Sequence, residues 1–221
     1  MIEAEAERLA VRCSSLRQTY QSWLRQPCMH RLRREELVLK VCPVDVAKII
    51  HERFHYIGAY HEGIAHLGLY VVGCEEIPIA LASIAPMDLH VLDSLFPTTV
   101  EKEKALVLSR VFAFDWAPRN TVSYLLSLVA HWIKTNFYQV QTLFTFLNPN
   151  LGFSGSSFRA ANWRAFIEVK PTASYLDGEY ITFRRFGSLS SSSRSRVERC
   201  PYELQPLRLL RYDLKRSTRR G

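Results

Sequence analysis

Two stretches of this chain carry side chains whose types and spacing do chemistry. The first is HERFHYIGAYH, residues 51–61, where His51, Glu52, His55, Gly58 and His61 follow the pattern His-Glu-x-x-His-x-x-Gly-x-x-His. On a helix, His51 and His55 stand one turn apart on one face and offer two imidazoles to a metal. Glu52 would then act as general base toward a metal-bound water, Gly58 would turn the chain, and His61 would complete the ligand set. The second is LSRVFAFDWAPRNTVS, residues 108–123, where an apolar run carrying Arg110 gives way to a Pro-containing turn and a helix start. Free backbone N–H groups at a helix start attract anions, and Arg119 and Asn120 add donors beside them. Asn120 or Thr121 fits the N-cap, and Ser123 in the first turn is either a capping hydroxyl or a reactive one. Arg110 either snorkels from an edge, pairs with Asp115 or Glu168, or is held at a site.

The elements that must position these groups follow from hydrophobic period and punctuation. Leu9, Leu16, Tyr20, Trp23 and Leu24 recur at near-helical spacing and predict an amphipathic helix over 2–25. LVLKV (37–41) reads as a strand, and Pro43 starts a helix through VAKIIHERFHY that Gly58 ends. Apolar segments 64–73 and 77–84 flank GCEE and predict an antiparallel hairpin. A short helix near LHVLDSLF follows, then a strand over 105–114 that is too continuously apolar for an exposed edge. TVSYLLSLVAHWIKT reads as a helix, TLFTFL as a strand, and SSFRAANW as a short helix. A hairpin of 166–170 with 179–186 closes the body, the Ser-rich run 188–196 marks a boundary, and 204–212 offers a further strand that docks back. Mostly strands with helices between some of them make an α/β (α+β) domain around one mixed sheet. The expected division is a helical segment 1–36, a body 37–186 and a basic, Ser-rich tail 187–221.

Composition narrows the partners. A chain of 221 residues that is 48% hydrophobic and 12% aromatic buries a core of its own. It shows neither a membrane-spanning apolar run nor a signal-peptide start. Five scattered cysteines without a C-x-x-C pair suggest reduced thiols and a cytoplasmic setting. The net charge of +8 is concentrated at the end: from residue 187 on, nine Lys or Arg stand against three Asp or Glu. A cationic tail attracts polyanions by counterion release, so DNA or RNA is a candidate partner; a solubilising tail is the plainer alternative.

The spacing in 51–61 resembles the zinc site of metzincin proteases, but those proteins place a multi-stranded sheet before the zinc helix and a Met-turn after it. Here about half of the 50 residues before His51 read as helix, and Met87 is the only downstream methionine. Histidines on a helix surface near a turn are the structural alternative.

FHYIG (54–58), LSRVFAFDWAPRNTVSYLLS (108–127), TLFTFLNPNLGFSGSSFRAANW (142–163) and ITFRRF (181–186) resemble the GNAT acyltransferase superfamily, in particular its Mom-like branch. The resemblance implies a GNAT-like sheet flanked by helices, and a transferase that takes its group from acyl-CoA or another acyl donor. It places Arg119, Asn120 and Thr121 in a phosphate-binding turn, and Arg110, Ser123, Asn148 and Phe158 at functional positions. His55 and Tyr56 match a His-Tyr pair that implies a transition metal. PRNTVS lacks the glycines usual in such a turn, while Asn148 and Phe158 stand where Asp and Tyr are expected. With Arg184, Arg185, Arg194, Arg196 and Arg199 available to hold a phosphate backbone, the first expectation is an acyl-type transferase modifying a nucleobase. A same-fold enzyme acting on a small molecule, a zinc metalloprotease, and a non-catalytic nucleic-acid-binding homologue are the alternatives.

Overall fold

The computed structural model describes residues 33–87, 101–115, 117–170, 174–177, 179–181, 187, 189–199 and 204–214. The expected helices over 2–25 and near LHVLDSLF lie outside these residues, as do Trp116, Arg184, Arg185 and the chain from Lys215 onward.

β1 (Leu37–Val41), β2 (Ala65–Val71), β3 (Ala80–Pro86) and β4 (Ala105–Ala113) form an antiparallel run in chain order. β5 (Thr142–Leu147) lies parallel to β4. β10 (Leu207–Asp213) pairs with β5, and β6 (Arg164–Val169) is the far edge. The seven-stranded sheet therefore has the order β1-β2-β3-β4-β5-β10-β6. The strand at 207–213 occupies the place expected for a hairpin partner of β6. Its alternate leucines explain this: Leu209 and Leu210 are buried on the two sheet faces, which the exposed-edge sequence of β6 cannot match. Residues 179–181, expected to pair with β6, instead form β8 (Glu179–Ile181), which pairs with β7 (Ser174–Leu176); β9 (Val197–Arg199) flanks β7 on its other side.

Helices cover both faces. α1 (Val44–Arg53) begins at Pro43 and buries Ala47, Ile50 and His51. Its side of the sheet holds Leu81, Phe112 and Phe114. α2 (Thr121–Asn136) joins β4 to β5 and buries Leu125, Leu126, Val129, Ala130 and Ile133 against the other face. The spacing of that stripe is the helical period expected from TVSYLLSLVAHWIKT. Two short helices, α3 (Ser156–Ala160) and α4 (Ser191–Arg194), and 3-10 turns at Arg34–Glu36, Lys102–Lys104 and Pro149–Leu151 complete the elements among the described residues. No helix among the described residues is long and apolar enough to cross a membrane.

One irregularity sets the site. In the β3–β4 ladder, Ser83 faces Arg110 while Ile84 faces Leu108, so Ser109 is an extra residue, a β-bulge. Before it, Leu106 and Leu108 point to the α2 face; after it, Val111 and Ala113 do. Without the bulge, Arg110 would point into that apolar layer. With it, Arg110 shares the α1 face with Phe112.

Candidate active site

β4 and β5 hydrogen-bond only at their beginnings, with Ala105, Leu106 and Val107 against Thr142, Leu143 and Phe144. The Thr145 hydroxyl donates to the Leu108 carbonyl at 2.9 Å and closes the paired stretch. Beyond it, β4 stays with β3 and β5 stays with β10, so the two parallel strands part. A cleft of about 370 Å³ fills the wedge, walled by 108–113 on one side, 145–147, the Gly/Ser loop 152–155 and the start of α3 on the other, and Phe54–Tyr56 at one end.

Arg110 lines this cleft and is only 3% exposed. Its Nη1 donates to the Ser109 carbonyl at 2.7 Å and its Nη2 to the Ala59 carbonyl at 3.4 Å, while the buried Nε has no partner among the described residues. Burial pulls its pKa down to about 10, with Tyr56 acting in the opposite sense, so the guanidinium remains charged at neutral pH. A buried cation held only by carbonyls attracts negative charge into the cleft.

The histidines of 51–61 do not form the expected zinc site. α1 ends at Arg53, because the Phe54 and His55 amides both donate to the Ile50 carbonyl, at 3.1 and 3.0 Å. That widened last turn moves His55 off the face that carries His51. Gly58, at φ 64°, ends the following turn rather than the helix. His51 turns inward, its Nε2 2.9 Å from the Ser83 hydroxyl, whereas His55 lines the cleft and accepts from the Ile57 amide at Nδ1, 3.3 Å. Among the described residues, no group of three or more His, Cys, Asp or Glu side chains is placed to hold a metal ion. The donor set therefore does not fit a metal at His51, His55 and His61. Burial, then the Arg110 charge, keep His55 well below its ordinary pKa, and the same two causes bring His51 down to about 3. Both rings are neutral at pH 7.

The expected phosphate turn stands at the start of α2. Asn120 adopts the left-handed conformation, φ 68°, that a glycine would otherwise supply, and it caps the helix without a side-chain hydrogen bond. Thr121 is buried and its hydroxyl donates to the Pro118 carbonyl; Arg119 is exposed. The Val122 and Ser123 amides thus lack a side-chain cap. Ser123 donates its hydroxyl to the Asn120 carbonyl at 2.9 Å and does not line the cleft, although its neighbour Val122 does.

Asn148 also lies off the cleft wall. Its Oδ1 accepts from both the Asn150 amide and the Asn150 Nδ2, each at 3.0 Å, and Asn150 in turn clasps Gln205 ahead of β10. Its placement is that of a turn-forming side chain. Phe158 does line the cleft and packs edge-on against buried Trp163 at 5.6 Å. In the tail, Arg196 pairs with Asp177 at 3.0 Å, Arg194 donates to the Gly187 carbonyl, and Arg199 is exposed on β9.

Sequence reasoning passed over Ser109, Ser83, His66 and Phe153. Phe153 packs against Tyr56 at the cleft, ring centroids 5.2 Å apart and planes tilted by 52°, and two loop glycines, Gly152 and Gly155, hold positive φ on either side of it. The Gly/Ser composition of that loop was visible; the bulge at Ser109 leaves no trace in an apolar run.

The chain is similar in fold to a chimera of Vibrio cholerae spermidine N-acetyltransferase SpeG and hSSAT, with a TM-score of 0.50 at 6% identity over 81% of this chain and 96% of that one. The ribosomal-protein-S18-alanine N-acetyltransferase of Escherichia coli superposes with a TM-score of 0.49 at 8% identity, covering 84% of this chain and 98% of that one. The mixed seven-stranded sheet is thus a GNAT-like α/β fold. No curated protein matches the sequence. Residues 36–212 match the Mom protein family, and with a match over most of its length the chain belongs to that family.

Proposed function

We propose that this protein is an acyl-type transferase that works in the β4–β5 cleft and takes a nucleobase amine as acceptor. The observation that carries this reading is the parted strand pair with a buried, under-satisfied Arg110 on its wall. Membership of the Mom family and the fold shared with an N-acetyltransferase support it.

The uncapped amides at the start of α2 and the neighbouring Arg119 suit the pyrophosphate of a donor such as acyl-CoA. When bound, that donor supplies an activated thioester. Arg110 stabilises the negative charge that develops on the acyl oxygen as the amine attacks, and a buried guanidinium does so more strongly than a solvated one. The apolar walls, Leu108, Phe112, Leu147 and Phe158 among them, exclude competing water from the reacting carbon. Tyr56 and Phe153 offer a paired aromatic surface on which a base stacks.

Charge favours a nucleic acid as acceptor. Besides the tail arginines, a polar groove of about 820 Å³ between α2, β6 and β10 carries His131, Lys134, Arg164 and Arg211. Arg211 is paired with Asp213 at 2.8 Å, but among the described residues no carboxylate pairs with Lys134 or Arg164. The groove's Asn162 and Arg164 follow directly on α3, whose Ser156, Ser157 and Phe158 line the cleft. A strand held by its phosphates there has a base within reach of the wedge, and a duplex gives up a few kcal/mol to flip it out.

Mass spectrometry of nucleosides from plasmid DNA co-expressed with the protein tests this reading. A mass-shifted base that disappears with Arg110→Met is expected; nucleosides unchanged by wild-type protein overturn it.

A further inference from the structure

One row of polar side chains crosses the sheet, and apart from Arg110 its members have no part in the steps above. His66 on β2, Ser83 on β3 and Arg110 on β4 are consecutive cross-strand partners, all on the α1 face. His51 reaches down to the same row from α1. The hydrogen bonds are continuous: His51 Nε2 to Ser83 Oγ, 2.9 Å; Ser83 Oγ to His66 Nδ1, 2.8 Å; His66 Nε2 to the Tyr60 hydroxyl, 3.2 Å. His51 and Ser83 are fully buried and His66 nearly so, whereas Tyr60 is partly exposed. The inner end stays open: His51 Nδ1 and Arg110 Nε are both buried without a partner among the described residues.

Such a line is a costly way to fill a core, because an apolar row in its place needs no partners. Acyl transfer to an amine gives it a use. The attacking nitrogen forms a bond to the acyl carbon while the carbonyl π pair moves onto oxygen. The C–S bond then breaks, the pair on oxygen re-forms the carbonyl, and sulfur leaves with the bonding electrons. The nitrogen must shed one proton, yet Asn148 has no basic atom and Phe158 no hydroxyl, so neither takes it.

We propose that Tyr60, His66, Ser83 and His51 form a proton relay that carries this proton from beside Arg110 to solvent; the inference rests on the transferase reading. His51 Nδ1 accepts the proton and passes the one on its Nε2 to the Ser83 oxygen. Ser83 hands its own to His66 Nδ1, His66 Nε2 hands one to the Tyr60 oxygen, and the Tyr60 hydroxyl proton leaves for water. One proton enters and one leaves, every hop between the four side chains follows a hydrogen bond named above, and both histidines end neutral in the other tautomer. The step from the amine to His51 requires one bridging water, for which Arg110 Nε–H is the unused donor and His51 Nδ1 the unused acceptor. His51 faces Arg110, His55 and His66, whose surroundings and charge disfavour imidazolium. A proton is therefore conducted rather than stored. At the outer end, Glu62 lies near the Tyr60 hydroxyl.

The experiment measures modified nucleoside formed by full-length protein from acetyl-CoA and a duplex oligonucleotide, across pH, for wild type, Ser83→Ala and Tyr60→Phe. Ser83→Ala removes the central link and Tyr60→Phe the exit hydroxyl, at a site where the fold tolerates it. At least about a tenfold loss of kcat is expected in each, with KM little changed. The rate should then rise with buffer-base concentration, as imidazole takes the proton the relay no longer carries. A purely structural row moves KM and thermal stability and gives no buffer rescue. Variants with wild-type kcat and pH profile overturn the relay and leave the transferase reading intact. Wild-type protein that forms no product brings down both. If Ser83→Ala fails to fold, Tyr60→Phe decides alone.

Discussion

Two walls face each other across the cleft. On one, β4 is paired with β3 from Leu106 to Ala113 on either side of the Ser109 bulge, and its Arg110 is buried to 3% exposure. On the other, residues 152–155 form an irregular loop leading into α3, with Gly152 and Gly155 at φ 76° and 73° and with Phe153 exposed. The strand wall holds charge where solvent does not reach it, so its electrostatics are fixed before any ligand arrives. The loop wall holds hydroxyls, an aromatic ring and open backbone, which suits fitting a bound group rather than polarising it. If that contrast is right, substitutions on the strand wall damage chemistry and those on the loop wall damage fit and stability.

The largest effect is expected from Arg110→Met. Methionine keeps the length and apolar stem of the side chain, and exchanging an under-satisfied buried charge for an apolar group is close to neutral for stability. Activity is a different matter: kcat/KM should fall by about 10²–10³, the usual loss on removing a charge-stabilising donor. Equal losses in activity and in unfolding free energy would show that Arg110 holds the strand and not the acyl oxygen. Nucleoside mass spectrometry and urea denaturation of the same preparation separate the two.

The second test uses acid, to which the two walls respond differently. His51, His55 and His66 are all held below their ordinary pKa of 6.5, His51 to about 3, chiefly by burial. Folded-state pKa values below the unfolded ones mean that the unfolded chain binds more protons as pH falls. Stability is therefore full above about pH 7 and is lost as pH drops through 6.5 toward 3, by about 1.4 kcal/mol per pH unit for each histidine that remains neutral. Urea midpoints measured at about pH 7.5 and pH 5 read this out. His66→Gln should flatten the slope, whereas substitutions in the loop, which has no titratable side chain between Gly152 and Phe158, should leave it alone. An unchanged slope would mean that the histidines take up protons in the folded state, and that the strand wall is wetter than its burial indicates.

The contrast also explains which parts could be read in the sequence. β1 to β4 follow one another in space as they do in chain order, and each carries its own period, so strands and the helix over 121–136 were legible. The anion-attracting start of α2 could be anticipated, because a buried strand, a turn and a helix are contiguous in 105–136. Three features could not. Placing β10 between β5 and β6 is a long-range choice that leaves no local mark, as Leu207–Asp213 would read the same at an edge. The bulge at Ser109 reverses the direction of Arg110 inside a run that is otherwise apolar on both sides of Ser109 and Arg110. The 51–61 spacing assumed an unbroken helix, and one widened turn at Ile50 was enough to give His51 and His55 different surroundings. In each case the deciding contact joins residues far apart in the chain or depends on a single extra residue.

Smaller effects belong to the loop wall. Gly155→Ala places a Cβ 2.9 Å from Leu147 Cδ2 and forces φ 73° on a residue that resists it. The left-handed conformation alone costs about 1–2 kcal/mol, and displacing buried Leu147 adds to it. About 2–3 kcal/mol of destabilisation is expected, with a narrower cleft and therefore a raised KM, since Leu147 lines it.

Gly152→Ala is the matched control and the smallest of these effects. Its φ of 76° imposes the same backbone strain, but nothing lies within 4 Å of the added Cβ. Only the conformational part, about 1–2 kcal/mol, should appear in a denaturation curve, and KM should stay near wild type. The difference between the two alanine variants then isolates the contact at Leu147. If Gly152→Ala raises KM as much as Gly155→Ala does, the loop acts by moving as a unit and not through one packed point. In that event, closing over a bound group becomes the loop's main contribution, while the strand wall keeps the charge.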